Sequence, residues 1–505
     1  MQNVIWLSQI YFLRYAMINA ILATPKVTFQ AQPISQKCLD KYSTVVVILN
    51  NFDKASITAL PYGDLLFKRH EDSIKSDTLC LSAVLPNDIG SQVILFHKNN
   101  MDSFTYLTAL RKALQKFTQL GVKLALVDLS GSEFASKEVL RVLYAMSLNM
   151  PCFKSKKEAK KQIQEIHCYA KEFGYIDIEA ANQGNAIARY LSALPKNYLS
   201  PAKYIKFLKK FAVKQNWEYE FYSKKKLASL QANAFLAVAR ASEEAGIVHL
   251  RYKPKANSNG KTLALVGKGV CYDTGGINVK SDQYMFGMQE DMQGSSVALG
   301  TFYMLSQMEV PYDIDCWLAI TENNVSADCY TPNEVVTASN GLTIEVVHTD
   351  AEGRMILADT LVLASKKKPD LLMDYATLTG ASIRAVGKRY ASVFTTKYEL
   401  NEKLIQAGKQ SGERVWPFPM TDDYDENIKS DIADIQQCNL LGSPDHIDAA
   451  RFLSKFVSGS IDWVHLDLAS AMDNKGGLGA IPTASTGFGV WFSKVFLEGY
   501  FTTGY

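Results

Sequence analysis

Residues 262–280 read TLALVGKGVCYDTGGINVK, and this stretch decides the fold class predicted for the larger part of the chain. The apolar run Thr262–Val266 reads as a buried strand. Glycines and charged side chains follow it at once. In open α/β sheets, functional groups gather in the loops at the carboxyl ends of the strands. We therefore expect Lys268, Asp273 and Lys280 to lie at such an edge.

Strand-like and helix-like runs alternate along the chain, which predicts an α/β fold. We predict a smaller N-terminal α/β domain over residues 26–175 and a larger catalytic α/β domain over residues 176–505. The larger domain is expected to hold a mixed sheet covered by helices. Residues 176–194 form its linker helix, which ends before Pro195, and residues 1–25 are an N-terminal extension of unclear role.

Three candidate functional residues, Lys268, Asp350 and Thr377, each follow a predicted strand. Parallel strands bring such positions to one edge of a sheet. The predicted strands are 45–49, 93–96, 124–127, 262–266, 314–320, 344–347 and 371–375, and the predicted helices include 104–120 and 139–148.

The composition excludes some classes of protein without naming a function. The chain has 505 residues, 47% of them hydrophobic and 21% charged, as is usual for a globular protein able to bury more than one core. Its net charge of +3 suggests neither a nucleic-acid nor a membrane role. Eight cysteines without a CxxC pair indicate thiols of a reducing compartment, neither a disulfide framework nor a zinc ribbon.

The N-terminal stretch Met1–Thr24 is apolar but interrupted by polar residues. A membrane span needs about 20 nearly uninterrupted apolar residues. A signal peptide carries basic residues before its apolar core, whereas Arg14 falls in the middle of this stretch. We therefore expect a cytoplasmic protein, with export as the less favoured alternative.

Carboxylates are concentrated in three short segments. The quoted stretch supplies one, QEDMQG at 289–294 supplies a second, and VVHTDAEGRM at 346–355 supplies two more together with Arg354. Burying four carboxylates among glycines and apolar runs is unfavourable without counter-charge. Two divalent cations balance four negative charges, which predicts a dinuclear metal site. The four carboxylates are Asp273, Asp291, Asp350 and Glu352.

Two lysines beside these acids have different expected roles. To bind a metal, Lys268 must lose its proton, so its pKa must fall well below about 10.4. Burial and two adjacent dications both act in that direction. Lys280, if it stays charged, can stabilise an oxyanion in a transition state.

Simpler explanations exist for each residue taken alone. Asp350 would serve as a helix N-cap, and either lysine would form a surface salt bridge. The other catalytic signatures that we sought, the His-Glu-x-x-His helix, the Gly-x-Ser-x-Gly elbow and the Walker loop, are missing. Gly267-Lys268-Gly269 begins like a dinucleotide fingerprint, but Tyr272 stands where the third glycine belongs.

The segments that carry these residues resemble the leucyl aminopeptidase family of dinuclear metallopeptidases, from about Leu194 to Phe492. The similarity includes Thr349–Arg354, Glu322-Asn323 before it and Ala376–Ala381 after it, and it extends to Trp463–Asp467. The resemblance implies a metal-dependent aminopeptidase that acts on peptides with leucine-like N-terminal residues.

The resemblance also implies the roles of individual residues. Lys268, Asp273, Asp291 and Glu352 would hold the tighter of two divalent ions, which would be Zn²⁺, Mn²⁺ or Mg²⁺. The second ion would be held by Asp273, Asp350 and Glu352, and a hydroxide bridging both ions would attack the first peptide bond. The further residues implied are Lys280 for the oxyanion, Arg354 for a bicarbonate ion acting as general base, and Met288, Thr377 and Gly380 for the substrate pocket.

A homohexamer is implied as well, with peptides as the partners and no membrane. The chain departs from the family at three positions. His348 stands where asparagine is usual and would pack, form a supporting hydrogen bond, bind a metal or have no role. Gln293 adds bulk where glycine is usual, which would narrow the approach to the ions, and Ser281 replaces a proline.

Two other functions stay open at this stage. A two-metal phosphoesterase also uses carboxylate clusters, although a metal-ligating lysine in this motif order disfavours it. A structural or DNA-binding assembly on the same fold is the other. The basic tracts of the chain are short and lack interleaved aromatic residues, so we do not expect nucleic acid as a partner. They are Lys224–Lys226 and Lys366–Lys368.

Overall fold

The computed structural model describes residues 18–75, 78–97, 101–116, 123–155, 162–255, 258–440, 444–471 and 477–502. These residues form two compact units. One holds residues 19–183 and 477–484, and the other holds Ile18 and residues 184–471 and 485–502. Of the predicted N-terminal extension, residues 1–17 lie outside the described residues. The domain limits drawn from the sequence stay a prediction.

The first unit is built on a six-stranded sheet in the order β1-β6-β5-β2-β4-β3, parallel except for β3. One side of β2 packs Val45, Val47 and Leu49 into a core with residues of the first helices. The elements are β1 Lys26–Phe29, α1 Gln36–Leu39, β2 Thr44–Leu49, α2 Lys54–Thr58, α3 Gly63–His70, β3 Cys80–Val84, β4 Gln92–His97, α4 Ser103–Gln115, β5 Lys123–Asp128, α5 Glu133–Ser147, β6 Glu165–Tyr169 and α6 Ile176–Ser192, which continues into the second unit.

The second unit contains an eight-stranded mixed sheet in the order β15-β14-β17-β13-β9-β10-β8-β7 and a three-stranded sheet in the order β11-β12-β16. Its elements are α7 Pro201–Gln215, β7 Glu218–Ser223, α8 Lys224–Ser229, α9 Asn233–Ala239, β8 Gly246–Tyr252, β9 Thr262–Asp273, α10 Asp282–Met285, α11 Gln293–Gln307, β10 Asp313–Asn323, β11 Val335–Thr337, β12 Thr343–Glu345, α12 Glu352–Ser365, β13 Leu371–Ala376, α13 Gly380–Val386, β14 Ala391–Thr395, α14 Leu400–Ser411, β15 Val415–Pro417, β16 Ile435–Gln436, α15 Asp445–Ser454, β17 Asp462–Asp467 and α16 Val490–Thr502. The predicted α/β class with a mixed sheet covered by helices is confirmed.

Strand β9 lies at the centre of the large sheet and separates two buried helices. Its residues alternate between the two faces, as the pleat requires. The side of Gly267 lies against α11, where a Cβ would stand 2.5 Å from the Ser295 Cα. On the other side, Ala264 and Val266 pack with residues of α12. Lys268 shares this second side, so its side chain extends towards the start of α12.

The structure corrects one strand boundary and the placement of one acid. The sequence places the end of the strand at Val266 because glycines follow, but β9 continues to Asp273 and includes Lys268. Those glycines mark the close approach of α11 to the strand and not a turn. Asp350 also does not follow a strand of the large sheet. It follows β12, which belongs to the three-stranded sheet.

Within the described part of the chain, we find no helix that combines the length and the apolar character needed to cross a bilayer.

We expect Gly267→Ala to lower the free energy of unfolding by about 1–3 kcal/mol, because the added methyl group overpacks a backbone-to-backbone contact. Chemical denaturation measures this. Gly459→Ala is the matched control, since nothing lies within 4 Å of the Cβ position there, and we expect a change within about 0.5 kcal/mol. Equal effects of the two substitutions would contradict the close packing of β9 on α11.

Candidate metal centre

The charged residues singled out from the sequence converge on one place in the second unit. Lys268 and Asp273 lie on β9, Asp291 lies in a short 3₁₀ helix, Met288–Met292, and Glu352 is the first residue of α12. Asp350 precedes that helix in a loop. Oxygen atoms of Asp273, Asp350 and Glu352 all lie within 4.8 Å of one another. Two segments far apart in sequence therefore form one acidic cluster.

Lys268 connects the remaining acid, Asp291, to this cluster, and Lys280 links two acids within it. The Nζ atom of Lys268 lies 2.8 Å from Asp291 Oδ1 and 2.8 Å from Glu352 Oε1. The Nζ atom of Lys280 lies 2.8 Å from Asp273 Oδ2 and 2.5 Å from Asp350 Oδ1. Each lysine thus bridges two carboxylates.

The carboxylates of the site outnumber the positively charged protein groups that lie against them. Lys268, Asp273 and Glu352 are at most 3% exposed, and four carboxylates face two ammonium groups. Buried atoms Asp291 Oδ2 and Glu352 Oε2 have no hydrogen-bond partner. Burial raises the pKa of Asp291 well above its ordinary value, and burial together with Glu352 and Asp273 raises the pKa of Asp350 to about 7. Free carboxylate oxygens that converge in this way fit divalent cations.

Burial and the neighbouring carboxylates act in opposite directions on the pKa of Lys268. Burial lowers its pKa, but the surrounding carboxylates Asp291, Glu352 and Asp273 raise it more, so the net direction is upward. It also donates a hydrogen bond to the Thr377 carbonyl at 2.8 Å. The protein groups alone therefore raise the pKa of Lys268, whereas bound cations would act in the opposite direction.

Hydrogen bonds fix the positions of the loops that carry the cluster. Asn323 Nδ2 donates to Asp273 Oδ1 at 2.8 Å and to the Thr349 carbonyl at 3.0 Å. Thr349 Oγ1 donates to the Gly275 carbonyl at 2.6 Å. At Gly276, with φ at +66°, a Cβ would stand 2.8 Å from Thr349 Oγ1, so only glycine allows this approach. The loop after β9 is thereby held against the segment before α12.

Gln437 supports the same segment, and sequence reasoning missed it. Its side-chain oxygen accepts hydrogen bonds from the backbone N–H groups of Val347 and His348, both at 3.2 Å. Its Nε2 donates to the Ala351 carbonyl at 2.9 Å. No motif marks this glutamine, which follows β16 about 90 residues downstream. Only the pairing of β16 with β12 brings it there.

Of the three predicted pocket residues, Thr377 contacts an acid of the site directly. Thr377 Oγ1 donates to Asp291 Oδ1 at 2.7 Å. Met288 begins the 3₁₀ helix that carries Asp291, and Gly380 is the exposed first residue of α13. Asp467 accepts hydrogen bonds from the backbone N–H groups that follow Thr377. The loop after β13 is thus tied both to Asp291 and to β17.

Two of the positions at which the chain departs from the family pattern, His348 and Gln293, lie close in sequence to the proposed ligands. His348 Nδ1 accepts a hydrogen bond from the backbone N–H of Asp350 at 3.2 Å, which is the supporting role among the alternatives considered. Burial first, and Lys280 second, lower its pKa. The Gln293 side chain is buried, and neither of its amide atoms has a hydrogen-bond partner.

Arg354 is buried two residues into α12 beyond Glu352. Its Nη1 donates to the Gln437 carbonyl at 3.0 Å, and its Nη2 donates to Asp445 Oδ1 at 2.7 Å. Asp445, the first residue of α15, was not identified from the sequence. The guanidinium group thus already carries an anionic partner from the chain itself.

Comparisons with known proteins agree with this geometry. The family model described as "Cytosol aminopeptidase family, catalytic domain" matches residues 186–492. A probable cytosol aminopeptidase of Wolbachia pipientis wMel is 34% identical over 433 residues, which cover 83% of this chain and 86% of that protein.

The chain belongs to the cytosol aminopeptidase family.

A second relative has a higher sequence identity over a shorter stretch. A probable cytosol aminopeptidase of Chlorobaculum tepidum is 40% identical over 316 residues, and the match spans 62% of this chain and 62% of that relative. Among solved structures, the bottromycin maturation enzyme BotP in complex with Mn is similar with a TM-score of 0.78 and 25% identity, over 91% of this chain and 99% of that chain. Peptidases of this family depend on metal ions.

We expect Gln437→Ala to weaken binding of Mn²⁺ by about 10–100-fold, because groups that orient a ligand segment contribute on that scale. Isothermal titration calorimetry measures the affinity. The control is Gln436→Ala, since the Gln436 side chain bonds to the Asn427 carbonyl instead. If Gln437→Ala leaves the affinity unchanged, this side chain does not position the cluster.

Proposed function

We propose that this chain is an aminopeptidase that uses two divalent ions to hydrolyse the first peptide bond of its substrates. The observation that carries the proposal is the convergence of one lysine and four carboxylates, with buried oxygen atoms that no protein group satisfies. Membership of the cytosol aminopeptidase family supports it and disfavours a phosphoesterase.

The proposed ligands follow from the donor set. Lys268, Asp273, Asp291 and Glu352 would hold one ion, and Asp273, Asp350 and Glu352 would hold the other. When bound, the ions supply a hydroxide nucleophile at neutral pH and polarise the scissile carbonyl. Oxygen donors with one amine suit Zn²⁺, Mn²⁺ or Mg²⁺. The Mn²⁺ in the similar BotP structure favours manganese as the first ion to test.

The remaining residues have proposed roles around the reacting bond. Lys280, which touches Asp273 and Asp350, would stabilise the oxyanion that forms on the carbonyl. Met288, Thr377 and Gly380 would line a pocket for a leucine-like N-terminal side chain. A pocket of that kind discriminates only modestly between apolar residues. A bicarbonate ion at Arg354 would compete with Asp445, which uses the same guanidinium group.

Two properties of the assembled protein belong to the proposal. The family name of the relatives favours a cytosolic location. The resemblance to leucyl aminopeptidases favours a homohexamer, which light scattering on the purified chain tests directly. We do not propose nucleic acid or a membrane as a partner.

We expect Asp273→Asn to remove binding of both ions, because Asp273 is proposed to bridge them. The measurement is the number of Mn²⁺ ions bound per chain, together with hydrolysis of a panel of aminoacyl amides and of a phosphate ester. Asp282→Asn, an exposed acid of the following segment, should keep both ions and full activity. Amide hydrolysis by Asp273→Asn at the wild-type rate would refute the proposed mechanism.

We expect Lys280→Ala to lower kcat by about 10²–10³-fold while the number of bound ions stays at two, because an oxyanion donor acts in the transition state. Steady-state kinetics with metal analysis of the same sample separates the two effects. Loss of one ion in Lys280→Ala would show that this lysine organises the ligands instead.

A further inference from the structure

Asp467 is a buried carboxylate at the carboxyl end of β17, outside the acidic cluster. Its Oδ1 accepts hydrogen bonds from the backbone N–H groups of Leu378 and Ala469, both at 3.1 Å. Its Oδ2 accepts two hydrogen bonds from Thr379, one from the backbone N–H at 3.2 Å and one from Oγ1 at 2.7 Å. Four donors of the chain therefore use both oxygen atoms of this one carboxylate.

The use of these oxygen atoms distinguishes Asp467 from the proposed metal ligands. Buried atoms Asp291 Oδ2 and Glu352 Oε2 have no hydrogen-bond partner, as expected of groups that bind a cation. Asp467 instead directs its lone pairs to donors of the chain. An ionised carboxylate is a pure acceptor and matches four donors. Asparagine has the same shape but would place an NH₂ group against two of them.

Three of the four donors belong to the loop that follows β13, and this loop reaches two proposed ligands. Strands β13 and β17 are parallel and pair Ala376 with Asp467, so they end at the same edge of the sheet. The next residue, Thr377, donates from Oγ1 to Asp291 Oδ1 at 2.7 Å. Its carbonyl oxygen accepts from Lys268 Nζ at 2.8 Å. One short loop therefore links the carboxylate of β17 to both ligands.

The other side of the proposed metal centre is supported by different groups. Asn323 donates to the Thr349 carbonyl, and Gln437 bonds to backbone groups on either side of Asp350. Lys268 and Asp291 are proposed for one ion only, and Asp350 is proposed for the other only. The two ions would thus depend on different supports.

We propose that Asp467 is a positioning residue for the ion held by Lys268 and Asp291, an inference that rests on the proposed function. Its carboxylate fixes the backbone of Leu378 and Thr379, and thereby the hydroxyl and the carbonyl of the preceding threonine. Those two atoms orient the aspartate and the lysine. Asp467 acts through the loop and is not itself a ligand, so its loss affects one ion and spares the other.

The first test measures Mn²⁺ affinity by isothermal titration calorimetry in two variants that each keep one proposed site. Asp350→Asn keeps the site of Lys268 and Asp291, and Asp291→Asn keeps the other site. Adding Asp467→Asn should weaken binding about 10–100-fold in the first variant, the scale for groups that orient a ligand. In the second variant the affinity should stay within about twofold, as for independent positions. Any other pattern of change would overturn the inference.

The second test follows hydrogen exchange of the loop after β13 by mass spectrometry in metal-free protein. Asp467→Asn should lose protection at Leu378 and Thr379, because their N–H groups lose a carboxylate acceptor. Unchanged protection would overturn the inference whatever the metal titration gives. A wild type that binds no Mn²⁺ would refute the proposed function, and the exchange measurement would then decide separately whether Asp467 holds the loop.

Asp359→Asn, added to the Asp350→Asn variant, is the matched control. Asp359 of α12 is also fully buried and accepts hydrogen bonds from two backbone N–H groups, those of Phe235 at 2.9 Å and Ser339 at 2.7 Å. Its substitution should lower the thermal unfolding midpoint, as Asp467→Asn does, but should leave the Mn²⁺ affinity within about twofold. Equal weakening by both substitutions would show a general loss of stability and would overturn the inference.

Discussion

The burial of three carboxylates, with a fourth partly buried, around two lysines is the constraint on which the rest of the structure depends. Carboxylates removed from water are stable only next to positive charge. Lys268 and Lys280 each bridge two of them, yet oxygen atoms of Asp291 and Glu352 remain without a partner. The charge that the protein does not supply is the charge that metal ions would bring. The same excess of carboxylates raises the pKa of Lys268.

The pleat of β9 makes this burial possible because it directs successive side chains to opposite faces of the sheet. On β9, the glycines allow α11 to approach the backbone, and Lys268 extends from the other face towards α12. Gly353, in the first turn of that helix, has the lysine Nζ 2.7 Å from its Cβ position. A larger residue there would collide with the lysine. Small residues on both helices thus let a charged group lie inside a close-packed layer.

The acidic cluster is assembled from two sheets, and hydrogen bonds between loops hold it together. Asp273 belongs to the large sheet, whereas the segment of Asp350 leads away from the small one. Asn323, from the large sheet, bonds to the Thr349 carbonyl, and Gln437, at the end of the small sheet, bonds to backbone groups on either side of Asp350. Their amides are neutral, so they orient the carboxylates without changing the balance of charge. The carboxylates of the cluster therefore remain available for ligands.

The sequence by itself determined the α/β class, the family and the charged residues of the cluster, because those depend on local apolar patterns and on the order of short motifs. It did not determine where β9 ends, since a glycine needed for helix packing and a glycine needed for a turn look alike. Nor did it reveal Gln437 or Asp445, which belong to no motif and reach the site only through the pairing of β16 and the start of α15. Those contacts join residues more than 80 positions apart, and only the tertiary structure decides them.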